Sequence, residues 1–226
     1  MDTMALLRLL QLASPGLPIG AYAYSQGLEW AVEAGWVHDV PSLARWIGEA
    51  LDTSLAQVDV PALARLHRAA STADAPALAQ WSAWLLANRE TRELRQDDCA
   101  RGQALARLAR ELDVPGLDLR AVEPARTGIP LALPFAQLAV AFGIPRAETA
   151  QAYSWGWLEN QVLCGVKLVP LGQFAGQRLL RDLAEAIPAA VVRGLALDDD
   201  DLGATLPRLA IASSRHETQY TRLFRS

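Results

Sequence analysis

The chain has 226 residues, a net charge of -4 and a pI near 5.4. That length suffices for one sizeable core, and the acidic balance argues against a nucleic-acid surface, which needs a clustered basic face. No apolar run approaches the ~20 residues that span a bilayer. The start lacks a basic, then apolar, secretory pattern, and two distant cysteines, Cys99 and Cys164, do not suggest a disulfide framework. A soluble, cytoplasmic protein is expected.

Helical periodicity runs almost throughout. After an amphipathic start at Met1 to Arg8, Ser14-Pro15-Gly16 and Leu17-Pro18 force a turn, because a residue before proline leaves the α region. Tyr22, Tyr24 and Ser25 come next, polar-tipped groups that either pack in a rigid loop or form a recognition surface. A helix is expected over Ser25 to Ala34, with Gly35 as its left-handed cap and Trp36 behind it. From Pro41 to Val58 the set Leu43, Trp46, Ile47, Ala50, Leu51, Ser54, Leu55, Val58 makes one stripe opposite Arg45, Glu49, Asp52, Thr53 and Gln57. Val60-Pro61 should break this helix and open the next.

Ala75 to Leu112 reads as one or two helices, with Trp81, Leu85, Leu94, Leu105, Leu108 and Leu112 facing inward. Asp113 to Pro134, rich in proline and glycine, reads as a loop, with its flexible part at about residues 113–130. Helices are expected at Leu131–Phe142, Pro145–Val166, Gln173–Ala186, Pro188–Leu197 and Pro207–Thr218, with Asp198–Asp201 as a solvated loop. The reading is all-α: residues 1–226 as one domain, a bundle of about ten helices, with no repeat at a solenoid period.

Chemistry is sparse. There is no phosphate-loop, dinucleotide or nucleophile-elbow motif. His38, His67 and His216 do not stand at metal-ligand spacing, so no stable metal site is expected. His216 is the one candidate for a transient, shared site. Glu29/Glu33 share a helix face, and Asp97/Asp98 and the Asp198–Asp201 run are further carboxylate groups; each is read as a solvated face. No set joins a nucleophile, a base and an oxyanion site, so no catalytic residues are expected. The rival reading is an all-α enzyme whose tryptophans, Tyr153 and Glu159 line a buried cofactor or small-molecule pocket.

Two features stand out. Lys167 is the only lysine beside 20 arginines, and it sits in the apolar run Leu163 to Pro170. Lysine, unlike arginine, yields its proton when desolvated; otherwise its stem carries the charge out to water. The last sixteen residues, Ile211 to Ser226, gather Arg215, His216, Tyr220, Arg222, Leu223, Phe224 and Arg225. Such side chains dominate binding hot spots. Either a partner holds this tail, or Tyr220, Leu223 and Phe224 dock on the chain's own core.

Five ordered blocks resemble the F-type urease accessory protein family over nearly the whole chain: Leu10–Gly20, Tyr24–Trp36, Arg89–Arg95, Gly165–Gln173 and Ala212–Arg225. The resemblance implies an all-helical, usually dimeric factor that hydrolyses nothing itself and holds no stable cofactor. It would bridge the D-type accessory protein (H in some organisms) and the G-type GTPase on apo-urease, so that nickel is inserted as the partner hydrolyses GTP. It further implies that the tail orders against the D-type partner and that Arg222 helps recruit the GTPase. Lys167 would bear on GTPase-facing fidelity, and Tyr22, Tyr24 and Ser25 would lie near dimer and partner surfaces.

Overall fold

Helix ends are set by short-range chemistry that is visible residue by residue. In the computed structural model, which describes residues 1–114 and 128–226, helix α1 spans Thr3–Ala13. Its cap is Asp2, whose carboxylate accepts the Ala5 N–H at 2.7 Å. Helix α2 covers only Leu28–Glu33, shorter than the expected Ser25–Ala34. Gln26 (φ 54°) and Gly27 (φ 83°) are left-handed, which no helix can continue. It ends as expected: Gly35 is left-handed at φ 73°, its N–H meets Val32 O and the Trp36 N–H meets Ala31 O, the double bond of a Schellman ending.

Helix α3, Val40–Ala50, is closed by a capping box between Asp39 and Ser42. The expected break at Val60-Pro61 is absent. A π-helical stretch, Leu51–Asp59, joins α3 to α4, Val60–Ser71, and the backbone stays helical from Ala50 through Val60. Proline lacks an N–H and its ring crowds the carbonyl four residues back. Here that carbonyl, Gln57 O, accepts instead from Gly203 N–H at 3.1 Å. The widened turns let the chain pass a proline without stopping.

Helices α5 (Ala75–Ala87) and α6 (Arg92–Glu111) are capped by Asp74 and Thr91. Of the side chains expected to face inward, Leu112 is exposed. Residues 115–127, most of the expected loop, lie outside the described residues, and its last part, Ala132–Pro134, is already helical. Next come α7 (Ala132–Ala141), α8 (Arg146–Leu168), α9 (Gln173–Ala184), α10 (Ile187–Ala196) and α11 (Pro207–His216). No strand occurs among the described residues, so the all-α single domain holds.

Two helices form the axis of the packing. Helix α4 lies against α5, α7 and α8, while the long α8 also meets α1, α2, α3, α9 and α10. Leu28, Leu43, Ile47, Leu63, Leu66, Leu85, Leu105, Leu133 and Leu138 are the large side chains sealed between them. Each buried leucine removes about 1.5–3 kcal/mol of apolar exposure from water. None of the described helices is long and apolar enough to cross a membrane.

Candidate partner-binding site

The tail is held by α2 and α6. Gly27 admits α11 beside α2, because a Cβ at that position would lie 2.8 Å from Ser213 N. Thr91 at the start of α6 meets Ser213 Oγ at 2.7 Å. This approach buries His216 completely, with Nδ1 at 2.7 Å from Glu93 and Nε2 at 3.1 Å from Glu29. A neutral imidazole has a single N–H, so satisfying both contacts takes a second proton, on the ring or on a carboxylate.

The same two carboxylates fix the residues beyond α11. Glu29 accepts the main-chain N–H groups of Leu223 (2.6 Å) and Phe224 (2.9 Å), and Glu93 accepts Arg222 at 2.9 Å. Further along, Arg225 N–H donates to Ala23 O at 2.8 Å, and the Ser226 main-chain oxygen accepts from Ser25 N (2.5 Å), Ser25 Oγ (2.7 Å) and Gln26 N (3.1 Å). Phe224 is buried at 5% exposure. The tail therefore docks on its own body through main-chain groups, the His216 and Arg222 side chains and one aromatic ring.

Several other side chains of the tail face water. Tyr220 is fully exposed, Leu223 is 66% exposed, and Arg215, Arg222 and Arg225 are exposed too. Lys167 at the end of α8 is exposed and lies over the Phe224 ring, its Nζ 5.6 Å from the centroid. The apolar run does not bury its ammonium; the stem carries it to the surface. Two features far apart in sequence thus share one patch. Of the loop trio, Tyr22 is exposed, whereas Tyr24 and Ser25 are buried. Tyr24 contributes its carbonyl to Asn160 Nδ2 (3.1 Å) and Cys164 Sγ (3.5 Å).

The carboxylates read as solvated faces prove otherwise at three positions. Glu29 is buried although Glu33 is not. Asp97 and Asp98 are sealed, at 0% and 1% exposure. Asp98 joins Arg89 (2.8 Å) and the Leu131 N–H (2.8 Å), and Arg89 also clamps Asp59 through 3.1 and 2.6 Å contacts. Arg101 holds Asp97, whose other donor is Gln26 at 2.8 Å; Tyr153 OH reaches Asp59 at 3.2 Å. Burial pulls Arg89 down, yet Asp59 and Asp98 hold it well above its ordinary pKa. Tyr153 is pushed well above 10.0, by burial first and by the same aspartates next. Sequence reasoning missed Asp59, Arg89, Arg101 and this role of Tyr153; only the i,i+4 spacing of Asp97 and Arg101 signalled any of it.

The aspartate–arginine network leaves cavities of ≈ 80 and ≈ 50 Å³ at its edges, beside Gln26, Arg101, Tyr153 and Trp157. Small-molecule pockets start near ~300 Å³, so the rival cofactor pocket around Tyr153 has no room there. Glu159 lies elsewhere on α8, half-buried. Among the described residues no cluster of three or more His, Cys, Asp or Glu is arranged for a metal ion. Both His216 nitrogens are engaged in holding the tail.

What the tail can do chemically is present arginine, tyrosine and leucine from a fixed backbone. Comparison with known proteins gives the family. The UreF family model matches residues 37–184. A urease accessory protein UreF of Pseudomonas putida (strain W619) is 55% identical over 225 residues, 99% of this chain and 98% of its own length. Those of Alkalilimnicola ehrlichii and Azoarcus sp. (strain BH72) are 53% and 50% identical, each covering 99% of this chain and 96% of their own lengths. The chain belongs to the UreF family of urease accessory proteins.

Proposed function

We propose that the chain serves urease maturation as a non-catalytic adaptor. It grips a D/H-type accessory protein and a G-type GTPase, so that nickel, the cargo, enters apo-urease while the partner hydrolyses GTP. The observation that carries this reading is the tail's geometry: backbone and Phe224 face inward, while Tyr220, Leu223, Arg215 and Arg225 are exposed, with Lys167 over the Phe224 ring. Tyrosine and arginine anchors contribute ~2 kcal/mol each at hot spots. Ordering costs about 1–2 kcal/mol per residue, and a tail already docked does not incur that cost on binding. Lys167 fits a role on the GTPase-facing side. A second copy of the chain, as a homodimer in the cytoplasm, completes the reading.

Paired substitution of Tyr220→Ala and Leu223→Asp tests it, because both side chains are exposed and neither holds the fold. Co-purification with the D/H-type and G-type partners is expected to lose at least one of them, by ~100-fold in affinity, with an unchanged melting temperature. Retention of both partners at wild-type strength would refute the adaptor role of the tail.

A further inference from the structure

Of the three histidines, His216 alone is sealed from solvent; His38 is exposed and His67 half-buried. Its ring stands between carboxylates from two helices, with Nδ1 facing Glu93 of α6 and Nε2 facing Glu29 of α2. A carboxylate ion only accepts hydrogen bonds, and a neutral imidazole donates from one nitrogen and accepts at the other. A neutral ring would therefore turn a lone pair toward one of the two anions. An imidazolium donates to both.

The other contacts of the two carboxylates argue that the extra proton sits on the ring. Glu29 takes the Leu223 amide on Oε1 and the Phe224 amide on Oε2, so both of its oxygens already accept. Glu93 takes the Arg222 guanidinium on Oε1, and a protonated Glu93 would give up the charge that Arg222 pairs with. Charge balances in the same way. Imidazolium and guanidinium offset Glu29 and Glu93, whereas a neutral ring leaves one buried negative charge without a counter-charge, which is strongly destabilising. Farther out, the Cys164 thiol of α8 feels the charge of Glu29, and Lys167 lies over the Phe224 ring. Arg92 pairs with Glu217, and Gln219 binds Glu33.

We propose that the tail is a proton latch: it closes on Glu29 and Glu93 with His216 as an imidazolium and, in closing, takes up one proton from the surrounding water. His216 is the last residue of α11. The strap from there onward can let go while α11 stays anchored beside Gly27 and Thr91. In the released strap His216 is an ordinary exposed histidine, protonated only below about pH 6.5. Closure is at full strength below that pH and weakens about tenfold for each unit above it, for as long as the closed ring keeps its proton. The latch opens toward alkali because the released state holds fewer protons than the closed one. Its use rests on the adaptor reading: opening withdraws Tyr220 and Leu223 from their fixed backbone, and with them the grip on partners.

Nuclear magnetic resonance of the full chain, isotopically labelled in its histidine ring nitrogens, counts the protons directly. His216→Gln identifies the signal, and exposed His38 serves as internal reference. At about pH 7.5, His38 should carry one ring proton and His216 two. A single ring proton on His216 at that pH overturns the proposal. Hydrogen exchange gives a second readout. Protection of the Leu223 and Phe224 amides, taken relative to free peptide at each pH, should fall roughly tenfold between about pH 7 and about pH 8, while α4 keeps its protection. Glu93→Gln should abolish that slope, because its amide brings an N–H and no negative charge to the ring, so a neutral imidazole suffices. A flat wild type, or an equal slope in Glu93→Gln, overturns the latch. No partner enters either measurement, so the latch and the adaptor reading fail separately.

Discussion

Two buried charged clusters hold this molecule together, and they are built to different ends. The aspartate–arginine network between the π-helical stretch, α6 and α8 is closed: side chains, with one main-chain N–H at Leu131, fill the valences of Asp59, Asp97 and Asp98. The Glu29–His216–Glu93 cluster directs its valences at a strap of backbone. One locks helices to helices with nothing on display. The other turns a terminal segment into a surface. Buried charge in a small helical protein thus serves as skeleton in one place and as mounting bracket in the other.

The sharpest way to break that contrast is Arg89→Ala. It strands Asp59 and Asp98 without their counter-charge, which costs about 3–5 kcal/mol for a buried pair and lowers the melting temperature by roughly 10 °C in a chain of this size. Circular dichroism during heating reads this directly; a loss under about 1 kcal/mol would mean that the network does not hold the helices. Glu29→Gln should act more locally. Removing an anion that receives two amides costs about 2 kcal/mol, lost from the strap alone. Hydrogen exchange should speed up at Leu223 and Phe224 while core amides of α4 keep their protection. Equal acceleration in α4 would erase the distinction between the two clusters.

A smaller effect comes from alkali. Burial pushes the Cys164 thiol from 9.0 to about 12, with Lys167 pulling slightly the other way. The unfolded chain releases this proton near 9.0 and the folded chain keeps it. Stability is therefore intact below that pH and falls as pH climbs toward 12, by up to about 1.4 kcal/mol per unit. Tyr153, raised in the same direction, adds to the fall above 10.0. Urea denaturation at about pH 8 and about pH 10 should show the loss, and Cys164→Ala should flatten its first part. A slope unchanged in Cys164→Ala would put the alkaline sensitivity elsewhere.

Local signals make the helices readable: the Leu43–Val58 stripe, the cap at Gly35 and the proline that opens α11 all act within a few residues. The π-helical passage before Pro61 is not readable, because its stabilising partner, Gly203, is remote in sequence. The same distance hides the role of Glu29, which a periodicity argument places on a wet face until His216 and the tail arrive. Tail composition singles out the segment, but the arrangement within it, Phe224 inward and Leu223 outward, depends on Glu29 taking consecutive amides. The apolar face of α1 is visible as amphipathic; that no described helix covers its outer half is not.

Glu29 reads amides, and amides are the same in every residue but proline. The grip on position 223 is therefore indifferent to almost any side chain that stands there. On the adaptor reading proposed above, substitution at that position alters which neighbour is recognised without loosening the anchorage, so specificity is free to drift over evolutionary time while the scaffold beneath it stays put.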